Sequence, residues 1–378
     1  KTNDRSQLRN FKEEEKMALK FMQKGEFEKA ENIYQNLINQ NHVNYIVLNN
    51  MAAILGIRKK DNEMINLLKK SIQIHPNNPE AYNNIGLFHE NKGDLDLAII
   101  SYKKAISFKN NDPLLYYNLG NALKKDSNNK DAIRSYKIAI KLEPYYIDAL
   151  NNLGNTLNEE KQYDLAIKYL KKAIILNSKD PELNYNLGNV YKNIGDNTNA
   201  SQYFKSAIKL KPNYPQANNN LGIILQEEGN IKEANLLFNK ALVSDPEYSN
   251  AYNNLGNNLE GQGEIDLAIN SYKTAIDKKK DFPEAHWNLA LILLLSGNYK
   301  EGWYKYEWRF KKEESTKLHA SPKSEQWNTS EINEQSHVLI ISEQGLGDTI
   351  QFMRYIKILK NRVNKVSFCA QEKLHQLI

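Results

Sequence analysis

A glycine preceded by an apolar residue returns every 34 residues in this chain. A small residue follows twelve positions later, a large ring or aliphatic side chain four positions after that, and an alanine three positions further on. The register runs from about Phe11 to about Phe310. Such a period indicates an array of small units that bury their apolar faces against one another. The glycines at this register, the repeat glycines, are Gly86, Gly120, Gly154, Gly188, Gly222 and Gly256.

Each unit has the pattern of two antiparallel helices, helix A and helix B, joined by a turn. The repeat glycine lies inside helix A, where glycine costs about 1 kcal/mol relative to alanine, so its recurrence requires a steric reason. The simplest is a close approach of helix A to helix B, with the helix-B alanine as the matching small residue. Glycines such as Gly93 and Gly195 are placed to end helix A, and prolines such as Pro79 and Pro113 to begin the next unit. The fold class is therefore predicted to be an all-α solenoid, a superhelix of helix hairpins.

The pattern divides the chain into four segments. Residues 1–44 are predicted to form a degenerate N-terminal unit or cap, and residues 45–310 the repeat array. A charged and polar linker is expected over residues 311–336, followed by a different kind of domain over residues 337–378. The sequence starts at Lys1 without methionine and ends at Ile378, so we expect it to be part of a longer protein.

Two positions before each repeat glycine stands an asparagine, although helix interiors mildly disfavour this residue. A carboxamide is both donor and acceptor, so a row of them suits the backbone of an extended peptide. The alternative is a solvated polar face in an asparagine-rich chain. If the row binds a peptide, replacing Asn152, Asn186 and Asn220 with alanine should weaken binding and leave stability nearly unchanged. The predicted peptide-binding residues, the asparagine column, are Asn50, Asn84, Asn118, Asn152, Asn186, Asn220, Asn254 and Asn288.

Neighbouring residues expected on the same concave face mix aromatic and amide side chains, which favours a protein or peptide partner over a phosphate. These neighbours are Tyr117, Asn151, Tyr185, Asn219, Asn253 and Trp287. The net charge of +6 is spread over the repeats without a dense basic run, so a nucleic-acid partner is not expected. The longest apolar run is too short for a membrane span, no metal site is predicted, and one cysteine, Cys369, suits a cytoplasmic location.

The period and the order of small and large residues resemble those of the tetratricopeptide repeat (TPR). The Asn-Leu-Gly units, as at Asn118-Leu119-Gly120 and Asn254-Leu255-Gly256, are similar to those of the O-linked N-acetylglucosamine transferase family. In that family an asparagine ladder inside the TPR superhelix holds acceptor proteins. The resemblance implies the same role for the asparagine column.

After the repeats the pattern changes twice. An aromatic-rich stretch, residues 303–310, is expected to form a helix that caps the open end of the array. Further on, a strand at residues 338–341, a glycine loop at 342–348, a helix from Thr349 to Lys360 and a strand at 363–368 follow in order, with a second helix from Gln371. This order predicts the start of a Rossmann-like half-domain. The dinucleotide and P-loop glycine patterns are incomplete, so nicotinamide and ATP sites are not expected.

Residues 306–309 together with 343–355 resemble a bacterial family that fuses TPR arrays to a heptosyltransferase-type glycosyltransferase of the GT-B fold. The most specific part is the glycine loop with Gly345, Gly347 and Asp348. Asp348 either caps the following helix or, as the resemblance implies, acts as the general base on the acceptor hydroxyl. The resemblance also implies a nucleotide-sugar donor for the complete protein, whereas residues 1–378 alone are expected to bind no cofactor.

These expectations support two alternative functions. The first is a TPR module that presents acceptor proteins or peptides to a C-terminal glycosyltransferase domain, most of which is missing, so these residues alone are expected to be inactive. The rival is a non-catalytic TPR scaffold for protein–protein interactions. The sequence does not identify the sugar, the acceptor or the oligomeric state.

Overall fold

The structure, a computed structural model, describes residues 2–312, 333–342 and 346–369. Within them, helices α1 to α18 form nine successive hairpins of one A helix and one B helix, so the predicted all-α array is confirmed. The A helices are α1 (Thr2–Gln23), α3 (Tyr45–Ile57), α5 (Pro79–Lys92), α7 (Pro113–Lys125), α9 (Ile147–Glu159), α11 (Pro181–Asn193), α13 (Pro215–Glu227), α15 (Ser249–Gly261) and α17 (Pro283–Leu295). The B helices are α2 (Phe27–Asn39), α4 (Asp61–Ile74), α6 (Leu95–Phe108), α8 (Asn129–Leu142), α10 (Tyr163–Leu176), α12 (Asn197–Leu210), α14 (Ile231–Ser244), α16 (Ile265–Lys278) and α18 (Tyr299–Tyr306).

The chain divides into two compact units, Lys1–Ala217 (unit 1) and Asn218–Ile378 (unit 2). In unit 1, B helices pack against the A helix of their own hairpin and against the next A helix, as α6 does with α5 and α7. In unit 2, α16 packs in the same way against α15 and α17. Because each hairpin is covered by its neighbour, the apolar core is continuous along each series of hairpins.

The repeat glycines explain how closely the two helices of a hairpin approach. A Cβ atom at any of the six would lie 2.5–2.7 Å from the large side chain sixteen positions later, which is too close for a real contact. The predicted close approach is therefore present, but the predicted partner was wrong. The alanines of helix B are buried in the hairpin, whereas the side chains that occupy the space beside the glycines are Tyr102, Tyr136, Leu170, Phe204, Phe238 and Tyr272.

The turn between helices A and B has the same geometry in every hairpin. The predicted glycines Gly93 and Gly195 have φ angles of 85° and 80°, the left-handed conformation that glycine adopts without strain. Lys59, Ser127 and Lys161 occupy the same register with φ of 58–60°. The left-handed turn therefore recurs even where glycine does not, which is why glycine spacing alone underestimates the regularity of the array.

The aromatic stretch after α17 forms two short elements rather than one capping helix. Helix α18 has eight residues and continues into a 3-10 helix, Glu307–Lys311. Trp308 stacks on His286 of α17 with ring centroids 3.7 Å apart. Trp303 and Tyr304 are 57% and 74% exposed, so only part of this aromatic surface is used to cover the last hairpin.

The C-terminal region contains strand β1 (His337–Ile341), helix α19 (Leu346–Lys360) and strand β2 (Lys365–Cys369). The strands pair in parallel, from His337 opposite Lys365 to Ile341 opposite Cys369. The helix begins three residues earlier than expected, so Gly347 and Asp348 lie in its first turn rather than in a loop. A carboxylate is favourable there because it faces the positive end of the helix dipole.

Two parallel strands joined by one helix are less than a Rossmann half-domain, so the GT-B assignment stays a prediction. Several expected features lie outside the described residues. They are Gly345, most of the linker at 311–336, and the helix after Gln371.

Candidate functional site

The asparagine column lies on the A helices, α3 to α17, and its side chains are only partly exposed. Asn118 and Asn186 are buried, at 6% and 8% exposure, and Asn152 is half-buried. A solvated polar face would leave such side chains open to water. The degree of burial instead implies hydrogen-bond partners within the protein.

Those partners are asparagines of the preceding hairpin. In four cases the Nδ2 atom of a column asparagine donates to the Oδ1 atom of the residue 35 positions earlier, one helix A away. The bonds run from Asn118 to Asn83 (2.9 Å) and from Asn186 to Asn151 (2.9 Å) in unit 1, and from Asn254 to Asn219 (2.9 Å) and from Asn288 to Asn253 (3.1 Å) in unit 2.

A second set of asparagines, directly after the repeat glycine, extends this network. Asn152 Nδ2 donates to Asn121 Oδ1 at 2.9 Å and to Tyr117 Oη at 3.3 Å. Asn288 Nδ2 likewise donates to Asn257 Oδ1 at 2.9 Å. These residues were not among the predicted site residues, although the recurring tetrapeptide Asn-Leu-Gly-Asn was a visible signal. The second set consists of Asn121, Asn155, Asn189 and Asn257.

Three of the large helix-B residues beside the repeat glycines are tyrosines, and their hydroxyl groups reach polar atoms of helix A. Tyr136 Oη donates to Asn121 Oδ1 at 2.8 Å, and Tyr102 Oη donates to a carboxylate oxygen of Glu90 at 2.7 Å. Burial raises the pKa of both phenols well above the ordinary value, so the hydroxyls remain protonated donors. The network therefore connects helix A, helix B and the next helix A.

The remaining members of the column are less uniform. Asn50 Nδ2 donates to Tyr34 Oη at 2.9 Å, and Asn220 Oδ1 accepts a long 3.4 Å contact from Asn219. Asn84 is half-buried.

The expectation that alanine at Asn152, Asn186 and Asn220 would leave stability nearly unchanged stays a prediction, but the hydrogen bonds argue against it, because Asn152 and Asn186 join neighbouring hairpins. Removing a donor such as Asn186 Nδ2 breaks a bond to Asn151 and leaves its oxygen unpaired. The predicted role of the column in binding a peptide stays a prediction.

Helix α9 carries three half-buried amides on one surface. Asn151, Asn152 and Asn155 are half-buried and lie on adjoining positions of one helix surface. Within the described residues the side chain of Asn155 forms no hydrogen bond. Because a carboxamide has two donors and an acceptor, this surface retains unused hydrogen-bonding capacity.

Two tyrosine pairs lie on either side of this amide surface. Tyr117 on α7 is 5.0 Å from Tyr146, and Tyr185 on α11 is 5.0 Å from Tyr214, measured between ring centroids. Helices α7 and α11 both contact α9, so the tyrosines are on its two neighbours. Burial raises the pKa of Tyr146 and Tyr214 further above neutrality, so both phenols remain protonated hydrogen-bond donors. We define the α9 face as Tyr117, Asn151, Asn152, Asn155 and Tyr185.

Of the other predicted site residues, Gly347 and Asp348 lie in α19 and Gly345 lies outside the described residues. The side chain of Asp348 is also outside them, so its capping and catalytic roles stay predictions. In the described part of the chain, no group of three or more His, Cys, Asp or Glu side chains is arranged to bind a metal ion. None of the helices described is long and apolar enough to cross a membrane.

Models of the tetratricopeptide repeat match several stretches of the sequence. One, described as a TPR repeat, matches residues 91–127, 154–195 and 259–297. Two others, each described as a tetratricopeptide repeat, match residues 181–214 and 67–100. Together these matches confirm TPR units in the array. No curated protein matches the sequence.

Several solved structures have a similar fold, and some of them are described as TPR proteins. The Cut9–Hcn1 hetero-tetramer of the APC/C is 18% identical, with a TM-score of 0.54, and the match covers 71% of this chain and 52% of that one. The C-terminal part of a TPR repeat-containing protein from Cytophaga hutchinsonii is 20% identical, with a TM-score of 0.51, and covers 63% of this chain and 98% of that one. A crystal structure of MamA is 28% identical over 43% of this chain and 95% of that one, with a TM-score of 0.40. At these identities the first two establish the fold alone.

Proposed function

Because the chain carries tetratricopeptide repeats, which indicate a protein-binding module, we propose that the α9 face binds an extended polypeptide. The chemistry of the face supports this proposal. It offers neutral hydrogen-bond donors and acceptors beside aromatic rings and no cluster of cations that would select a phosphate. A peptide backbone presents alternating donors and acceptors, which carboxamides match.

The main support for the proposal is that the amides of the α9 face differ in how many of their hydrogen-bonding groups are already paired within the protein. The bond from Asn186 to Asn151 occupies the acceptor of Asn151 and leaves both of its donors, while Asn155 is unused within the described residues. We expect these amides to bind backbone groups of the peptide. Tyr117 and Tyr185 would then contact its side chains, because each ring combines an apolar surface with a polar tip.

Asn155→Ala is the sharpest test because this side chain does not join hairpins. A peptide selected from a randomised library on the wild-type protein should bind Asn155→Ala about three- to tenfold more weakly, the loss expected for one hydrogen bond. The thermal midpoint should stay equal or rise slightly, because alanine favours helices. Affinity is measured by fluorescence anisotropy and stability by circular dichroism.

Asn66→Ala is the matched control, because Asn66 is exposed on B helix α4. It should leave peptide affinity unchanged. Asn152→Ala should lower both affinity and stability, since its amide also bonds to Tyr117 and Asn121. Equal peptide affinity for wild type and Asn155→Ala would place the peptide elsewhere and reject the α9 face.

A finer proposal concerns the complete protein. We propose, from the resemblance of residues 343–355 to the heptosyltransferase-type fusions, that the array presents its partner to a glycosyltransferase domain that uses a nucleotide-sugar donor. In this proposal Asp348 is the general base, and β1, α19 and β2 belong to the first half-domain. The non-catalytic scaffold accounts equally well for the repeats.

Asp348→Asn in the complete protein separates these possibilities. Asparagine keeps the polar side chain in the first turn of the helix but cannot accept the acceptor's proton, so sugar transfer should fall by at least about 100-fold. Transfer at the wild-type rate by the folded variant would reject the catalytic role. Absence of any transfer by the complete wild-type protein, with a panel of nucleotide-sugars, would favour the scaffold.

A further inference from the structure

Five of the six B helices of unit 1, α4 to α12, carry a lysine at one fixed register of the 34-residue period, which Gln35 occupies on α2. All five side chains are exposed, and each belongs to a different hairpin. The register lies one position after the large residue that packs beside the repeat glycine. We call these residues the lysine row: Lys69, Lys103, Lys137, Lys171 and Lys205.

No acidic residue accompanies the row. The ten-residue stretches of helix B around it contain further Lys or Arg side chains but no Asp or Glu, although the chain has 45 acidic against 51 basic residues. Within residues 2–312, none of the five lysines is within 4.0 Å of a carboxylate. The acid-free stretches are residues 65–74, 99–108, 133–142, 167–176 and 201–210.

The helix dipole does not account for this arrangement. A dipole favours cations in the last turn of a helix, where Lys141 and Lys209 stand. Lys103, by contrast, is five residues before Phe108, the last residue of α6. Cations in mid-helix that no carboxylate neutralises repel one another, so an external anion would stabilise them.

The side chains beside the row are aliphatic. Ile100, Ile138 and Ile175 are 62%, 40% and 82% exposed and lie three positions before, one after and four after a lysine of the row. Residues three or four positions apart share one helix surface, so Ile100 and Ile175 lie beside lysines of the row, whereas Ile138 lies on an adjoining surface. The row is therefore a line of cations interrupted by exposed aliphatic groups.

We propose that the lysine row binds an acidic, extended polypeptide segment that carries aliphatic side chains. A cation at the same register of successive hairpins forms a line, which matches a linear polyanion. Single-stranded nucleic acid would require aromatic rings open for base stacking, whereas Tyr191 and Tyr203, which lie near Lys171, are stacked on each other with ring centroids 5.5 Å apart. A lipid bilayer would be matched by a broad basic area more than by a line. This proposal is independent of the α9 face, which lies on the A helices.

Unit 2 does not continue the feature. Asn239 occupies the register on α14, and Lys273 on α16 lies 4.0 Å from a carboxylate oxygen of Glu301. The B helices of the two units therefore share the 34-residue period but differ in composition at this register. We therefore assign the acidic segment to unit 1 alone.

The test uses the full chain and a fluorescein-labelled peptide of repeated Glu-Glu-Leu. The triple variant Lys103→Gln, Lys137→Gln, Lys205→Gln should bind it at least about tenfold more weakly, because each exposed charge contact contributes a factor of roughly two to five. Affinity of the wild type should fall as salt rises from about 0.1 M to about 1 M, which shortens the screening length from about 10 Å to about 3 Å. A peptide of glutamate alone should bind more weakly than the leucine-containing one.

The matched control removes the same charge elsewhere: Lys130→Gln, Lys161→Gln, Lys179→Gln, three exposed lysines of unit 1 outside the row. This variant should keep wild-type affinity. Equal weakening in both triple variants would mean non-specific attraction and overturn the proposal, as would no peptide binding by the wild type. Tighter binding of oligo-dT or of phosphatidylserine vesicles than of the peptide, lost in the row variant, would assign the row to nucleic acid or to lipid instead.

Discussion

The A helices and the B helices share one 34-residue period but use their polar residues in opposite ways. On the A helices, asparagines such as Asn186 donate to the preceding hairpin and are largely buried. On the B helices of unit 1, lysines such as Lys137 are exposed and form no ion pair within residues 2–312. A recurring polar residue therefore has two possible meanings, a bond between repeats or a surface left for a partner.

The difference shows that recurrence alone does not identify a binding residue. The asparagine column recurs partly because it joins hairpins, so its conspicuous spacing overstates its availability to a ligand. Asn155, which belongs to the less conspicuous second set, is the better candidate for contact with a peptide. Burial and hydrogen-bond use distinguish the two roles where spacing does not.

The largest expected effect tests the packing that holds the A and B helices together. Gly256→Ala places a Cβ atom 2.5 Å from the ring of Tyr272 and should lower the free energy of unfolding by about 2–3 kcal/mol. Gly261→Ala, in the same helix, meets no atom within 4 Å and should be neutral or gain up to about 1 kcal/mol. Urea unfolding of both variants measures the difference, and similar stabilities would refute the steric role of the repeat glycine.

A smaller loss of stability is expected when a hydrogen bond between neighbouring A helices is removed. Asn288→Ala removes bonds to Asn253 and Asn257 and leaves the oxygen of Asn253 unpaired, while that of Asn257 still accepts from Tyr272 Oη. The change should destabilise by about 1–2 kcal/mol. Asn66→Ala, on a B helix, should be neutral or slightly stabilising. A double-mutant cycle of Asn288 with Asn253 should show a coupling energy above about 0.5 kcal/mol, and strict additivity would argue against the inter-repeat bond.

The smallest effect on stability is expected for substitutions in the lysine row of the B helices. The Lys103, Lys137 and Lys205 triple change to glutamine should alter the free energy of unfolding by less than about 0.5 kcal/mol, because these side chains are exposed and form no ion pair within residues 2–312. Thermal unfolding at low salt is the measurement. A loss comparable to that of Asn288→Ala would mean that the lysines also hold hairpins together.

The sequence was sufficient to predict the helix hairpins, because the period and the small–large order directly reflect packing between helices. It was less informative about which side chain packs beside each repeat glycine, since the helix-B alanines and the large residues recur with equal regularity. It also placed the left-handed turns only where glycine occurs, and therefore missed Ser127 and Lys161, whose turn geometry is imposed by the two flanking helices.

The C-terminal region was predicted in outline. The two strands and the helix are present, but the helix begins at Leu346, so Gly347 and Asp348 lie in its first turn. A hydrogen-bond network such as that of Asn152, Asn121 and Tyr136 depends on side chains from three helices. The spacing in one sequence shows each recurring residue type separately and does not show which of these residues contact one another.

The most direct test of the account is a competition between its two surfaces. The wild-type protein is saturated with the Glu-Glu-Leu peptide, and the affinity of the library-selected peptide is then measured by anisotropy. The account predicts an affinity within about twofold of that without competitor, because the α9 face and the lysine row lie on different helices and bind independently. Full displacement of one peptide by the other would contradict the assignment of two separate surfaces to the two helices of each hairpin.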